Sequence, residues 1–148
     1  MTFFCTKTYD HNEGLSCAFR QWRAQDSHCR WVHGYALAVT FTFAAKSLND
    51  NQWVYDFGSL KHIKAWLHEQ FDHRLCIASD DPELDTFKQL AKKDLINLNI
   101  LPGVGCERFA EYIFNEVSLL VNDDRVWLQR VEVKEHGSNS AIYEKNEH

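Results

Sequence analysis

Cys29 and His33, four residues apart, are the first side chains in this sequence whose types and spacing could do chemistry. Gly34 and an alternating apolar run follow them, which places the thiol and the imidazole at the start of a β-strand. The basic neighbours His28 and Arg30, together with His33, favour the nucleophilic thiolate form of a cysteine. We therefore predict that Cys29 is a nucleophile or base; the alternative is an inert thiol that only packs.

Asp72 and His73 are two further groups suited to proton transfer. A carboxylate beside an imidazole can orient the ring and stabilise its cation. Adjacent residues seldom face each other, so the two side chains could also act separately, and His73 could be a simple surface histidine. We predict that Asp72 and His73 act with Cys29 as an acid–base set.

Glu135 and Glu107 are predicted to bind a ligand. Glu135 lies where the alternation of a late apolar strand ends, and a carboxylate there can accept paired hydrogen bonds from an amidine- or guanidine-like ring. Glu107 lies at the start of an amphipathic helix, where a carboxylate also stabilises the helix dipole. Both roles stay open for Glu107.

Apolar periodicity predicts the strands that position these residues. An alternating or β-prone pattern covers Phe3–Tyr9, Ala36–Ala44 and Trp53–Phe57, with a turn at Asn49–Asn51 before the third. Late in the chain, Val126 to Val133 alternates with a change of phase between Leu128 and Val131, which predicts a bulge. A last short strand is predicted over Ala141–Tyr143.

Spacing near 3.6 residues predicts the helices. Ser59 is the predicted cap of a helix that buries Leu60, Ile63, Leu67 and Phe71. A second amphipathic helix is predicted from about Cys106 to Leu120, and a shorter one could begin at Asp81-Pro82-Glu83 and run through Ala91. The order is two strands, two main helices and two strands. It predicts an α+β fold, a four-stranded antiparallel sheet with helices on one face.

Length and composition restrict the class of protein. With 148 residues the chain is expected to form a single domain, 1–148. The net charge is −5 and basic residues do not cluster, which disfavours nucleic acid as a partner. No apolar run approaches the ~20 residues of a membrane span, and no secretion signal is recognisable. Five cysteines without a C-x-x-C pair favour reduced thiols in the cytoplasm.

Six segments between about Leu15 and Tyr143 resemble the 6-pyruvoyl-tetrahydropterin synthase and 6-carboxy-tetrahydropterin synthase family. They are Leu15-Ser16-Cys17-Ala18-Phe19-Arg20, Cys29-x-x-x-His33-Gly34-Tyr35, Val54-Tyr55-Asp56-Phe57-Gly58-Ser59-Leu60-Lys61, Phe71-Asp72-His73, Cys106-Glu107-Arg108-Phe109-Ala110 and Val133-Lys134-Glu135. Each is weak alone, but together they follow the family's order and approximate spacing. The resemblance implies a tunnelling fold (T-fold) of ββααββ order, whose sheets join into a barrel in a homo-oligomer, a trimer or a hexamer, with sites between subunits.

The resemblance also implies roles for single residues. The family's catalytic cysteine falls on Cys29, and its aspartate–histidine proton relay on Asp72 and His73. Its pterin-anchoring glutamate falls on Glu135, and the glutamate of its second-helix motif on Glu107. The implied reaction is a lyase step on the side chain of a dihydroneopterin-type pterin, in queuosine or biopterin biosynthesis.

The family's zinc is held by three histidines, of which this sequence keeps one. His33 matches, whereas Phe19 and Tyr35 stand at the other two positions. The zinc acts as a Lewis acid on the substrate side chain, and a single imidazole in water competes poorly for it. We therefore predict no bound metal; the alternative is zinc bound through His33 with ligands recruited from His28, His11 or Cys29.

Three hypotheses for the function remain. The first is a pterin-modifying lyase or isomerase, favoured because Cys29, Asp72, His73 and Glu135 are all present. The second is a non-catalytic pterin-binding or assembly subunit, favoured by Phe19 and Tyr35 at two of the zinc-ligand positions. The third is an unrelated ligand carrier, because a fold does not fix a function.

Overall fold

The computed structural model describes residues 1–146, which form eight strands and three α-helices. The elements are, in chain order, β1 Phe3–Tyr9, β2 Ser16–Phe19, β3 His33–Ala36, β4 Ala38–Ala45, α1 Lys61–Phe71, β5 Arg74–Ala78, α2 Leu84–Lys92, β6 Leu98–Leu101, α3 Cys106–Val121, β7 Val126–His136 and β8 Asn139–Glu144. None of the helices in this part of the chain is long and apolar enough to cross a membrane.

The main sheet has the strand order β1-β4-β7-β8 and is antiparallel throughout. Since α1 and α3 lie between β4 and β7 in the chain, the predicted ββααββ order is confirmed. The predicted bulge is also confirmed. Thr42 pairs with Arg130 but Phe43 pairs with Leu128, so Gln129 is the extra residue of β7.

The core lies between one face of this sheet and the helices. α3 packs against β7 and β8 and buries Phe109, Ile113 and Val117. α1 contacts α3 through an edge-to-face pair of rings, Phe71 and Phe109, whose centroids are 5.2 Å apart. The two helices lie on one face of the sheet, as predicted.

A second four-stranded sheet, of order β3-β2-β5-β6, was not predicted from the sequence. Strand β2 pairs antiparallel with β3 and parallel with β5, which in turn pairs parallel with β6. Strands of four or five residues are too short to show alternation, and Leu75–Ala78 is buried on both faces, so period two is absent there. Phe19, His33 and Tyr35 lie on this second sheet, and the loop between β2 and β3 contains Cys29.

Two local predictions were wrong. Trp53–Phe57 is an irregular segment and not a strand. At its start, the Asn49 side chain accepts hydrogen bonds from the amides of Asn51 and Trp53, both at 3.0 Å, and closes the preceding turn. Ser59 does not cap α1. Instead, Asp56 caps a short 3-10 turn over Phe57–Leu60 that leads into the helix, accepting from the Gly58 amide at 2.9 Å.

Candidate active site

A loop that connects β2 to β3 carries Cys29. The Cys29 amide donates to the Ser27 hydroxyl at 3.1 Å, and its carbonyl accepts from the Gln21 amide at 2.8 Å. At the base of the loop, Arg20 donates two hydrogen bonds to the buried carboxylate of Asp81, at 2.7 and 2.8 Å. These contacts fix a half-buried thiol beside the end of β2.

Glu107 and Glu135 lie in one polar pocket, because the first turn of α3 meets the end of β7. The pocket has a volume of about 460 Å³ and is lined by Gln21, Cys106, Glu107, Glu135, Ser138, Asn139 and Ser140. Gly105, which precedes α3, has a φ of 105°, and a Cβ there would overlap the Gln21 amide. Glycine at this position therefore lets Gln21 approach the start of the helix.

Burial and nearby negative charges raise the pKa values of two groups in this region, Cys106 and Tyr35. Burial, reinforced by the carboxylates of Glu135 and Glu107, raises the pKa of the Cys106 thiol to about 12. Desolvation, with the charges of Glu135 and Cys29, also raises the pKa of Tyr35 above its ordinary value. Cys106 is therefore a neutral thiol and Tyr35 a neutral phenol at physiological pH.

Asp72 and His73 form a hydrogen-bonded pair at the end of α1. His73 Nδ1 donates to Asp72 Oδ1 at 2.8 Å, and the Ser16 amide donates to the same oxygen at 3.3 Å. Desolvation acts to raise the pKa of Asp72, but these hydrogen bonds and the histidines nearby outweigh it and hold that pKa below its usual value. The carboxylate therefore stays charged and fixes the imidazole ring.

The backbone of His73 explains why two adjacent side chains face each other. His73 has a φ of 56°, in the left-handed region, and its amide donates to the Ser16 carbonyl at 2.6 Å. Non-glycine residues rarely adopt this conformation, and those that do are often found at functional sites. The side chain of His73 is 84% exposed, so Nε2 is available to a ligand or to another subunit.

Within one chain, the backbones of Cys29 and His73 are anchored at opposite ends of β2. The backbone of His73 is bonded to Ser16 at the start of β2, whereas the backbone of Cys29 is bonded to Gln21, two residues past the end of that strand. At about 3.3 Å per extended residue these anchor points are up to roughly 16 Å apart. The predicted acid–base set is therefore divided between two ends of the second sheet.

Phe19, His33 and Tyr35 form a cluster of three rings beside the Cys29 loop. Phe19 pairs with His33 across β2 and β3, and Tyr35 lies two residues further along the same face. The ring centroids are 5.0 Å apart for Phe19–His33, 5.5 Å for His33–Tyr35 and 6.1 Å for Phe19–Tyr35. Gly34, between His33 and Tyr35, lets β2 and β3 approach each other, since a Cβ there would lie 2.7 Å from the Cys17 carbonyl oxygen.

Several residues of this region were missed by the sequence argument. Gln21, Cys106 and the Ser138–Ser140 turn line the pocket of the two glutamates. His68 was also missed, although it contacts Asp72 at 3.7 Å from the preceding turn of α1. The i,i+4 spacing of His68 and Asp72 is a signal that could have identified this contact.

Comparison with known proteins identifies the family. The family model described as 6-pyruvoyl tetrahydropterin synthase matches residues 8–146. The chain belongs to this family. Two 6-carboxy-5,6,7,8-tetrahydropterin synthases, from Rickettsia bellii and Rickettsia typhi, are 31% and 30% identical to it over 81 residues. These alignments cover 54% of this chain and 55% of each relative, so the chain spans about half the length of the curated relatives it matches.

Solved structures confirm the tunnelling fold. An uncharacterized protein from Wolinella succinogenes has a TM-score of 0.83 at 19% identity, with 99% of both chains covered. A catalytic-residue mutant of Plasmodium vivax 6-pyruvoyltetrahydropterin synthase has a TM-score of 0.67 at 18% identity, again with 99% of both chains covered. The Caenorhabditis elegans 6-pyruvoyl tetrahydropterin synthase gives 0.64 at 17% identity, covering 99% of this chain and 96% of that one.

The zinc that the resemblance implies does not fit the ring cluster. A phenyl ring has no lone pair to donate, and a neutral phenol is a poor ligand, so His33 is left without partners. Within residues 1–146 no group of three or more histidine, cysteine, aspartate or glutamate side chains is placed to hold a metal ion.

Proposed function

We propose that this protein is a pterin-processing lyase of the 6-pyruvoyl/6-carboxy-tetrahydropterin synthase type, acting on the side chain of a dihydroneopterin-type substrate. Membership of the family and the names of the Rickettsia relatives support the reaction class. The observation that carries the proposal is the pocket in which Glu107 and Glu135 converge at the start of α3. Five free thiols in the described residues agree with a reducing, cytoplasmic setting.

The pocket suits the pyrimidine part of a pterin. A pterin ring presents an amino group and a ring N–H side by side, and one carboxylate can accept both in parallel charge-assisted bonds. Glu135 is the proposed anchor, and Glu107 the second acceptor. A volume of about 460 Å³ accommodates a bicyclic ring and the start of its side chain.

The proposed chemistry is proton transfer at the pterin side chain. Cys29 would take a proton from a carbon or hydroxyl beside the ring, and His73, held by Asp72, would act from the opposite side. Because the Cys29 and His73 anchor points are separated within one chain, a complete site needs His73 from a second subunit. We therefore propose a homo-oligomer, a trimer or a hexamer, with sites between subunits.

A non-catalytic pterin-binding homologue is the second candidate. It is favoured by one observation, the phenyl ring of Phe19 at the position of a zinc ligand. Such a protein would keep the pocket of Glu107 and Glu135 and lose the electrophile that the family reaction uses. Pterin binding without turnover would support this candidate.

The experiment that tests the pocket is pterin binding by the Glu135→Ala variant. The two parallel bonds contribute a few kcal/mol when desolvated, so affinity should fall by about 10-fold or more. Glu144→Ala is the matched control, because Glu144 is an exposed carboxylate on the adjacent strand β8. Equal affinity of the two variants, with the fold intact by circular dichroism, would exclude Glu135 as the anchor.

A further inference from the structure

We infer that Phe19, His33 and Tyr35 keep the geometry of a three-imidazole metal centre but cannot bind the metal, because Phe19 and Tyr35 lack the imidazole donors. The inference does not depend on whether the chain turns over a pterin. It predicts that the protein binds no zinc at this place and that two substitutions restore binding.

The first step is the spacing of the three rings. With Zn–N distances of about 2.0–2.1 Å in a tetrahedral site, three imidazole rings have centroids roughly 5 Å apart. Phe19, His33 and Tyr35 have centroids 5.0, 5.5 and 6.1 Å apart. The strand register of β2 and β3 therefore places three side chains where three imidazoles could share one ion.

The second step is the state of the one remaining imidazole. His33 Nδ1 lies 2.7 Å from the Trp31 carbonyl, and a carbonyl only accepts, so Nδ1 carries the proton. Nε2 then bears a lone pair, and this atom is buried without a partner among the described residues. A backbone carbonyl that fixes the tautomer while Nε2 points at an ion is the usual support of a metal-bound histidine.

The third step is the chemistry of the other two side chains. Phe19 is fully buried and offers only a ring face or edge to the His33 lone pair. Tyr35 offers a phenol, which is a much weaker zinc ligand than an imidazole, and its ring centroid lies 5.5 Å from that of His33. An unpaired buried acceptor is destabilising, so the uncompensated Nε2 is a feature that hydrophobic packing alone does not explain.

The test is zinc binding by the Phe19→His/Tyr35→His variant, measured by elemental analysis after gel filtration. We expect about one zinc per chain, with visible absorption bands of tetrahedral Co²⁺ when cobalt replaces zinc. Adding His33→Ala to this variant should weaken binding by about 100-fold or more. The wild-type protein should bind no more zinc than its His33→Ala variant does.

A matched control exists elsewhere in the chain. Phe114 and Tyr143 are another phenylalanine–tyrosine pair, with centroids 5.2 Å apart, and changing both to histidine adds two imidazoles away from His33. This variant should gain far less affinity for zinc. Equal gains in the two double variants would overturn the inference.

Two further measurements keep the inference testable if the buried Phe19→His change prevents folding. Tyr35→His alone adds a second imidazole beside His33, and its zinc affinity should exceed that of the wild type by about 10-fold and fall back with His33→Ala. Stoichiometric zinc in the wild type that disappears with His33→Ala would overturn the inference, because it would show that other ligands complete the site. Since metal content is the readout, loss of pterin turnover affects the proposed function alone.

Discussion

At the scale of single residues, the structure separates two cysteines that look alike in the sequence. Cys106 is buried beside two carboxylates, and its pKa is raised to about 12. Cys29 is half-buried in a loop with basic neighbours. Of these two thiols Cys29 is the more accessible one, which supports its proposed role.

This difference predicts the order in which the thiols react. At pH 8 a thiol with a pKa of about 12 is ionised in only roughly one molecule in ten thousand, so iodoacetamide should modify Cys29 well before Cys106. Mass spectrometry of peptides after short exposure measures both rates. Protein unfolded in urea is the control, in which all five thiols should react at similar rates. Faster labelling of Cys106 in the native protein would contradict the assignment.

The acid–base pair shows what residue types alone could not predict. Asp72 and His73 were identified from their types and their resemblance to the family relay. Their contact depends on the left-handed backbone of His73, which the hydrogen bond to the Ser16 carbonyl supports. That bond belongs to a second sheet that was not predicted, so the geometry could not be predicted either.

At the scale of elements, a buried ion pair anchors the base of the Cys29 loop. Arg20 binds Asp81 in a bidentate arrangement, with side-chain exposures of 20% and 0%, and its Nη1 also lies 3.5 Å from the Arg30 carbonyl. The pair therefore joins the end of β2 to the turn after β5, next to the residue that follows Cys29.

Asp81→Asn should destabilise the protein by about 3 kcal/mol, because it leaves a largely buried guanidinium without its counter-charge. The neighbouring variant Asp80→Asn is the control. Asp80 pairs with Arg23 at the surface, with side-chain exposures of 51% and 73%, so its substitution should destabilise the protein far less than Asp81→Asn does. Urea unfolding at pH 7 measures both. Equal destabilisation would contradict the importance of the Arg20 pair.

The same pair predicts a pH dependence. Desolvation alone would raise the pKa of Asp81, but the bonds from Arg20 and the Glu83 amide lower it overall. Since the folded pKa lies below the unfolded value of about 3.9, the contribution is complete above about pH 5 and is lost as the pH falls through the folded pKa. The difference in stability between wild type and Asp81→Asn should therefore shrink in acid.

The elements that were predicted correctly are those long enough to show a period. β1 matches its predicted bounds, and α3 extends one residue beyond its prediction. Strands of four residues show no period, and Trp53–Phe57, although β-prone, forms an irregular segment between the turn closed by the Asn49 side chain and the 3-10 turn at Phe57. Glu107 and Glu135 lie on the long elements α3 and β7, so their surroundings could be predicted from the sequence. Cys29 and His73 lie next to short strands, so theirs could not.

At the scale of the whole molecule, both edges of the main sheet lack a neighbouring strand in the described residues. β1 exposes Phe3 and Phe4, and β8 exposes Ile142 and Tyr143. Long edge strands with apolar side chains favour pairing with another chain. A closed ring of subunits would pair every β1 with a neighbouring β8.

Light scattering at micromolar concentration should therefore give the mass of a trimer or a hexamer. Phe4→Lys places a charge on the exposed edge and should shift the distribution toward the monomer. Thr8→Lys, a change on the same strand outside the apolar patch, is the control. A monomeric wild type would contradict the proposed assembly.

The separation of Cys29 from His73 predicts how defects combine in such an assembly. Cys29→Ala and His73→Ala should each lower pterin turnover by about 100-fold or more, with pterin affinity nearly unchanged. If a site takes Cys29 from one subunit and His73 from another, mixed oligomers of the two variants contain sites in which both residues are intact. Random mixing would make about a quarter of the sites complete. Co-refolding the two variants should thus restore up to about a quarter of wild-type turnover, whereas refolding either variant alone restores none. Mixed oligomers that stay inactive, while the wild type is active, would place both residues in a site within one chain.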